Sequence, residues 1–170
     1  NKNKILIVTS DTYSKFINKN NRSVRPLFSD GSSASIIKFS KKGFKLKIRK
    51  YKNIKNTQDE LSLKDYEIKM NGPAVASFAI QHVVPEIKKY QKYVDSIFVH
   101  QAGNVVHKII EKNVDKKVFL PKNFDKYGNL VSGSIPFLIK DTFKKFKKLK
   151  KVILCGFGVG LSFSLMILKK

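Results

Sequence analysis

His100 stands where an apolar run, Ile97-Phe98-Val99, gives way to Gln101-Ala102-Gly103-Asn104. A histidine at the end of a strand can polarise a carbonyl or carry a proton near neutral pH. Strand ends of open α/β sheets are also common ligand sites. The same residue type equally serves as a structural group bonding a nearby loop. A second constellation is Tyr127-Gly128-Asn129-Leu130. Taken alone, Asn129 reads as a turn residue or helix cap. The third is Gly156-Phe157-Gly158-Val159-Gly160. Closely spaced glycines let backbone N–H groups approach a ligand and stabilise an oxyanion or phosphate. A tight strand-to-strand turn is the plain alternative. No helix is expected after these glycines, which excludes a dinucleotide fingerprint.

The single cysteine, Cys155, excludes an internal disulfide framework and a multi-cysteine zinc site. It lies on the strand entering the glycine loop and reads as a small apolar core residue. His82 falls mid-helix among apolar residues and reads as structural, whereas His107 is expected on an exposed helix surface. Neither has carboxylates or histidines at metal-ligand spacing, so no metal is predicted.

These residues need elements to hold them. KILIVT at 4–9 reads as a short buried strand, with Asp11 capping a short helix after it. Residues 18–26 are a polar loop, Asp30-Gly31 a turn, and 33–39 a strand. In 44–50 Phe44, Leu46 and Ile48 alternate with Lys45, Lys47 and Arg49, the pattern of a half-exposed strand. The polar stretch 52–66 is expected to connect two structural halves. A helix is predicted over 72–94, with Pro73 in its first turn and a kink or early end at Pro85. Strands follow at 96–99 and 118–120, and helices at 104–113 and 131–148. The last strands are 152–154 and 161–168. This alternation predicts an α/β fold packed in layers.

Composition bounds the partners. The 170 residues carry a formal net charge of +23 and are 42% hydrophobic, so a core can form and anions are attracted. The charge is almost all lysine, with Arg only at 22, 25 and 49, which argues against nucleic-acid readout. NKNKILIVTSD runs directly into a strand, with no signal-peptide pattern. Residues 152–168 are uncharged, but Gly156, Gly158 and Gly160 interrupt them. Strand, glycine turn, strand is therefore expected there, with no membrane helix and no membrane partner.

In order and spacing, FSDGSSASII, MNGPAVASFAI, FVHQAGNVVHKI, KYGNLVSGSIPF and LCGFGVGLSFS resemble the C-terminal half of the β-ketoacyl-acyl-carrier-protein synthase III family. These are thiolase-like condensing enzymes. The resemblance implies a thiolase-like layered fold, with 1–51 as the tail of the N-terminal half, 52–66 connecting and 67–170 the C-terminal half. It matches His100 and Asn129 to the catalytic pair that holds the thioester carbonyl of a malonyl donor during decarboxylation. Gly158, Val159 and Gly160 match the backbone oxyanion loop, and Phe157 and Gly72 substrate-binding positions. The nucleophilic cysteine is expected upstream of Asn1.

The same resemblance implies substrates carried as thioesters of coenzyme A or of acyl-carrier-protein phosphopantetheine, with no permanently bound cofactor. It further implies an acyl carrier protein as partner, a homodimer, a cytoplasmic setting and a place in fatty acid biosynthesis. Two departures stand out. Gly103 and Val105 replace the family's usual Asn and Arg, and Pro73 replaces a common Asn. Alternative readings are a basic nucleic-acid-binding module and a non-catalytic dimerisation half.

Overall fold

The structure is a computed structural model and describes residues 4–170. Its strands are β1 (Lys4–Asp11), β2 (Gly31–Lys38), β3 (Lys45–Asn53), β4 (Leu61–Lys64), β5 (Glu67–Met70), β6 (Ser96–Val99), β7 (Lys151–Gly158) and β8 (Ser162–Lys169). Its helices are α1 (Gly72–Phe78), α2 (Val84–Gln91), α3 (Asn104–Asn113), α4 (Phe124–Tyr127), α5 (Ser134–Asp141) and α6 (Phe143–Phe146).

The strand SIFV of β6 is buried along its whole length. A short, uninterrupted apolar run of this kind belongs in a parallel pairing covered on both faces. β6 pairs parallel with β7, β7 antiparallel with β8, and β8 antiparallel with β3, giving the order β3-β8-β7-β6. One face carries the main core, in which Ile97, Val99, Ile153, Cys155 and Leu165 are buried under α1, α2 and α3. The other packs Phe98 and Val152 against Leu138 of α5. Removing a buried side chain such as Leu165 or Leu138 would cost about 2–5 kcal/mol.

Residues 72–91 form a nearly continuous helix, and Pro85 accounts for its irregularity. Proline lacks an N–H and its ring crowds the carbonyl four residues back. The chain responds by widening to a π-helical segment, Ala79–Val83, and resuming α geometry with Pro85 in the first turn of α2. The helix expected over 131–148 is broken instead. A 3-10 turn at Val131–Gly133 leads into α5, and Thr142 separates α5 from α6. Thr142 Oγ1 donates to the Leu138 carbonyl at 2.7 Å, a side-chain bond that competes with continued helix.

Three further expectations are corrected, and the connecting stretch gains a hairpin. β1 is not buried within this chain: Ile5, Leu6 and Val8 are each 62% exposed, in a two-stranded sheet with β2. Asp11 lies within β1 and does not cap the following 3-10 turn; it accepts from the Ser132 N–H at 3.1 Å and from the Ser132 hydroxyl. The stretch 52–66 contains β4, paired with β5 through Asp65 and Tyr66, both at positive φ. Two-residue hairpin turns usually carry Gly, Asn or Asp at such positions, so Tyr66 is the exception. The strand expected at 118–120 reduces to one bridge, Phe119 to Ser96. Among the described residues, no helix is long and apolar enough to cross a membrane.

Candidate active site

β6 runs into the site at its C-terminal end. The His100 N–H donates to the Cys155 carbonyl at 2.8 Å, so the residue is still registered against β7 as the strand stops. Gln101 fixes the chain beyond it. This buried side chain donates to the Val99 carbonyl at 2.8 Å and accepts from the Asn123 N–H at 3.0 Å. It thereby ties the end of β6 to the loop that leads to α4. Phe157 packs edge-on against the His100 ring at 5.3 Å.

Asn129 arrives from the opposite wall. Its N–H donates to Leu27 at 2.8 Å and its carbonyl accepts from Ser29 at 3.0 Å, as in a strand pairing. Gly128 permits this approach. Its φ is +69°, and a Cβ there would collide with Ser29 Oγ and lie 3.1 Å from the Leu27 carbonyl. The Asn129 side-chain oxygen accepts from the Val131 N–H at 2.9 Å. With the oxygen engaged, the amide's N–H donors are the atoms left for a ligand.

His100 and Asn129 line one pocket of about 400 Å³ with Phe157, Gly158, Val159 and Tyr13. No Asp, Glu, Lys or Arg is among the lining residues. Burial holds the His100 imidazole down to about 4, and a backbone hydrogen bond with Val131 opposes that shift. The ring still reaches the pocket surface, so desolvation comes from the protein packed around its other sides. It is neutral at neutral pH. A neutral imidazole has one N–H, which serves Val131 in one tautomer and the pocket in the other. Neutral donors in a cavity lined without charged side chains suit a substrate on which negative charge develops.

The glycine loop closes the pocket between β7 and β8. Gly160 has φ +132°, a conformation that L side chains rarely adopt. Thr57 holds the loop from the far side of the chain. Its hydroxyl accepts from the Leu161 N–H at 2.6 Å and shares its proton between the carbonyls of Gly160 and Ile54, at 2.9 and 2.8 Å. Thr57 carries no sequence signal, because a lone threonine in a polar stretch looks like any loop residue. Gly72, at the start of α1, is not among the lining residues.

The remaining reactive side chains stand apart. Cys155 is fully buried, and burial pushes its thiol up to about 12, which leaves it un-ionised and inert. His107 is buried against Phe124 and not exposed as expected, since α3 turns that face inward. His82 contacts Phe78 and lies 3.3 Å from Lys52 Nζ, outside the pocket lining.

The chain is similar to known proteins in both sequence and fold. Residues 1–52 match the family 3-oxoacyl-(acyl-carrier-protein) synthase III, and residues 88–170 match its C-terminal family. A β-ketoacyl-(acyl-carrier-protein) synthase III of Clostridium botulinum strain 657 is 33% identical over 189 residues, covering 95% of this chain and 57% of that protein. One from Clostridioides difficile strain 630 is 28% identical over 192 residues, covering 97% and 58%. The crystal structure of the synthase III from Aquifex aeolicus superposes with a TM-score of 0.85 at 22% identity, over 99% of this chain and 58% of that one. The chain thus spans a little over half the length of these relatives. Its α/β architecture is that of their thiolase-like fold. By its two family matches and its relatives, the chain belongs to the 3-oxoacyl-(acyl-carrier-protein) synthase III family.

Proposed function

We propose that this chain forms the donor side of a decarboxylative condensing site. The observation that carries this is the Asn129 amide, turned by Val131 so that its N–H donors are free for the pocket that His100 also lines. A malonyl thioester binds with its carbonyl oxygen between His100 and Asn129. The carbon–carboxylate bond breaks, carbon dioxide leaves, and the electron pair moves onto that oxygen as an enolate. The two neutral donors stabilise the charge, each worth roughly 3–4 kcal/mol in comparable oxyanion sites.

The enolate carbon then attacks an acyl thioester carbonyl held on a cysteine. The carbon–sulfur bond breaks, the thiolate leaves, and a 3-oxoacyl thioester forms. Backbone groups of Gly158, Val159 and Gly160 serve the oxyanion of this second step. The cysteine comes from polypeptide outside these 170 residues; the inert thiol of Cys155 supports that assignment. In this reading 1–51 end an N-terminal half, 52–66 connect, and 67–170 form the C-terminal half, with β3 shared into the latter's sheet. Phe157 supports the His100 ring, and Gly72 serves donor binding only at a distance.

The substrates are coenzyme A or acyl-carrier-protein thioesters. The intact enzyme is a cytoplasmic homodimer of fatty acid biosynthesis, and the basic surface steers an acidic carrier protein. The test is malonyl-thioester decarboxylation by the complete protein. His100→Ala or Asn129→Ala should each lower it about 100- to 1,000-fold. Unchanged decarboxylation in either variant would remove the assignment.

A further inference from the structure

Lys45, Lys169 and Lys151 stand side by side across β3, β8 and β7: Lys45 is in register with Lys169, and Lys169 with Lys151. In-register neighbours point to the same face, so three like charges are opposed at one end of the sheet, an unfavourable arrangement. Lys170 adds to them, its N–H bonded to the Lys150 carbonyl at 2.8 Å. The stretch 140–151 leads to the same end with seven lysines and one acidic residue, Asp141.

Carboxylates offset only part of this charge, and none forms an ion pair with these lysines among the described residues. Among the described residues the ion pairs involve Lys64, Lys69 and Lys122, all outside the cluster. Asp95 is bonded to the backbone N–H groups of Lys150 and Lys151, and Asp141 to Asn123 and Tyr127. Aromatic rings face the ammonium groups instead. Lys145 Nζ lies 3.4 Å from the Phe119 ring centre, Lys147 4.9 Å from Phe143 and Lys170 4.8 Å from Phe44.

The location separates this surface from the pocket. Lys151 begins β7 and Gly158, which lines the pocket, ends it. At about 3.3 Å per residue the two are ~23 Å apart. An anion held at the lysine end therefore lies outside the pocket that His100 lines.

We propose that this end of the sheet is a docking face for an anionic membrane surface. Its positive charges are all lysine, and the three arginines, at 22, 25 and 49, lie outside it. Arginine's fork reads the discrete phosphates and bases of nucleic acid, whereas clustered lysines suit the diffuse charge of a lipid leaflet. Phe143 is 50% exposed, has Lys147 beside its ring and is followed in sequence by Lys144 and Lys145. An aromatic ring between lysines is the composition that enters the headgroup region of a bilayer. The contact is peripheral, which revises the sequence expectation of no membrane partner. It does not rest on the condensing role proposed above.

Co-sedimentation of the full chain with phosphatidylcholine vesicles, with and without phosphatidylglycerol, tests it. Binding is expected only to the anionic vesicles and should fade as salt rises. Replacing Lys144, Lys147 and Lys148 together by Gln should weaken it about 100-fold, at about fivefold per lysine. Replacing the exposed Lys88, Lys89 and Lys92 by Gln removes the same charge elsewhere and should change binding no more than about twofold. Equal loss in the two triple variants overturns the proposal, as does failure to bind anionic vesicles. Tighter binding to duplex DNA or to an acidic carrier protein than to those vesicles, at the same salt, overturns it too.

Discussion

The side-chain oxygen of Asn129 accepts the Val131 N–H at 2.9 Å, and this bond decides which end of the amide the pocket meets. Asn129→Asp retains an oxygen for Val131 but replaces the N–H donors with a second acceptor. In the complete protein, decarboxylation should fall at least about 100-fold, the loss of an oxyanion donor. The same substitution should leave the circular dichroism spectrum unchanged. Retained activity would mean that the amide donors are not used.

His100 makes stability depend on pH. Burial lowers its folded-state value from 6.5 to about 4. As pH falls below about 6.5 the unfolded ring takes up a proton while the folded ring does not, so the unfolded state gains. Stability should therefore decline from pH 6.5 down to about 4, by roughly 3 kcal/mol in all, and show no further decline from this residue below that. Urea unfolding of the chain and of His100→Gln across this range isolates the effect, because His82 and His107 remain in both. Parallel pH dependence in the two proteins would contradict it.

Thr57 should matter more than its place in a polar loop suggests. Thr57→Val keeps the shape but leaves the Leu161 N–H and the Gly160 carbonyl without their hydroxyl partner. A cost of about 1–3 kcal/mol is expected for stranding such groups. Amide hydrogen exchange at Leu161 should quicken more than exchange in β6. Uniform quickening across the sheet would indicate general destabilisation and not a role in holding the loop.

Gly128→Ala should be poorly tolerated. The residue sits at φ +69°, and the added methyl meets Ser29 and the Leu27 carbonyl. A loss of about 1–3 kcal/mol is expected from strain at such a position. Because Asn129 follows directly, catalytic loss in the complete protein should exceed what unfolding explains. Thermal melts alongside decarboxylation rates separate the two.

Cys155 should resist alkylation. Its thiol is buried and held near 12, so iodoacetamide at mildly alkaline pH should label it only when denaturant is present. Rapid labelling of the folded chain would show that the thiol is accessible and would reopen its role.

Much of the local structure was legible without coordinates. The apolar run before His100, the paired strands around the glycines and the helix at 104–113 follow from periodicity and punctuation, which are local properties of the chain. The order of His100, Asn129 and the glycine loop was enough to indicate the family. Other features depend on partners far away in sequence. β1 reads as buried from its composition, yet its exposure is set by which surfaces meet it. The hairpin at Asp65 and Tyr66 uses positive φ without the usual glycine, and pairing with β5 holds it. The roles of Thr57 and Gln101 are hydrogen bonds made across 104 and 22 residues of chain. The sequence by itself determined which groups are available for chemistry. Only the tertiary structure decided that Asn129 offers donors, that His100 is neutral, and that the lysines gather at the end of the sheet away from both, because orientation, desolvation and charge proximity arise from contacts between distant segments.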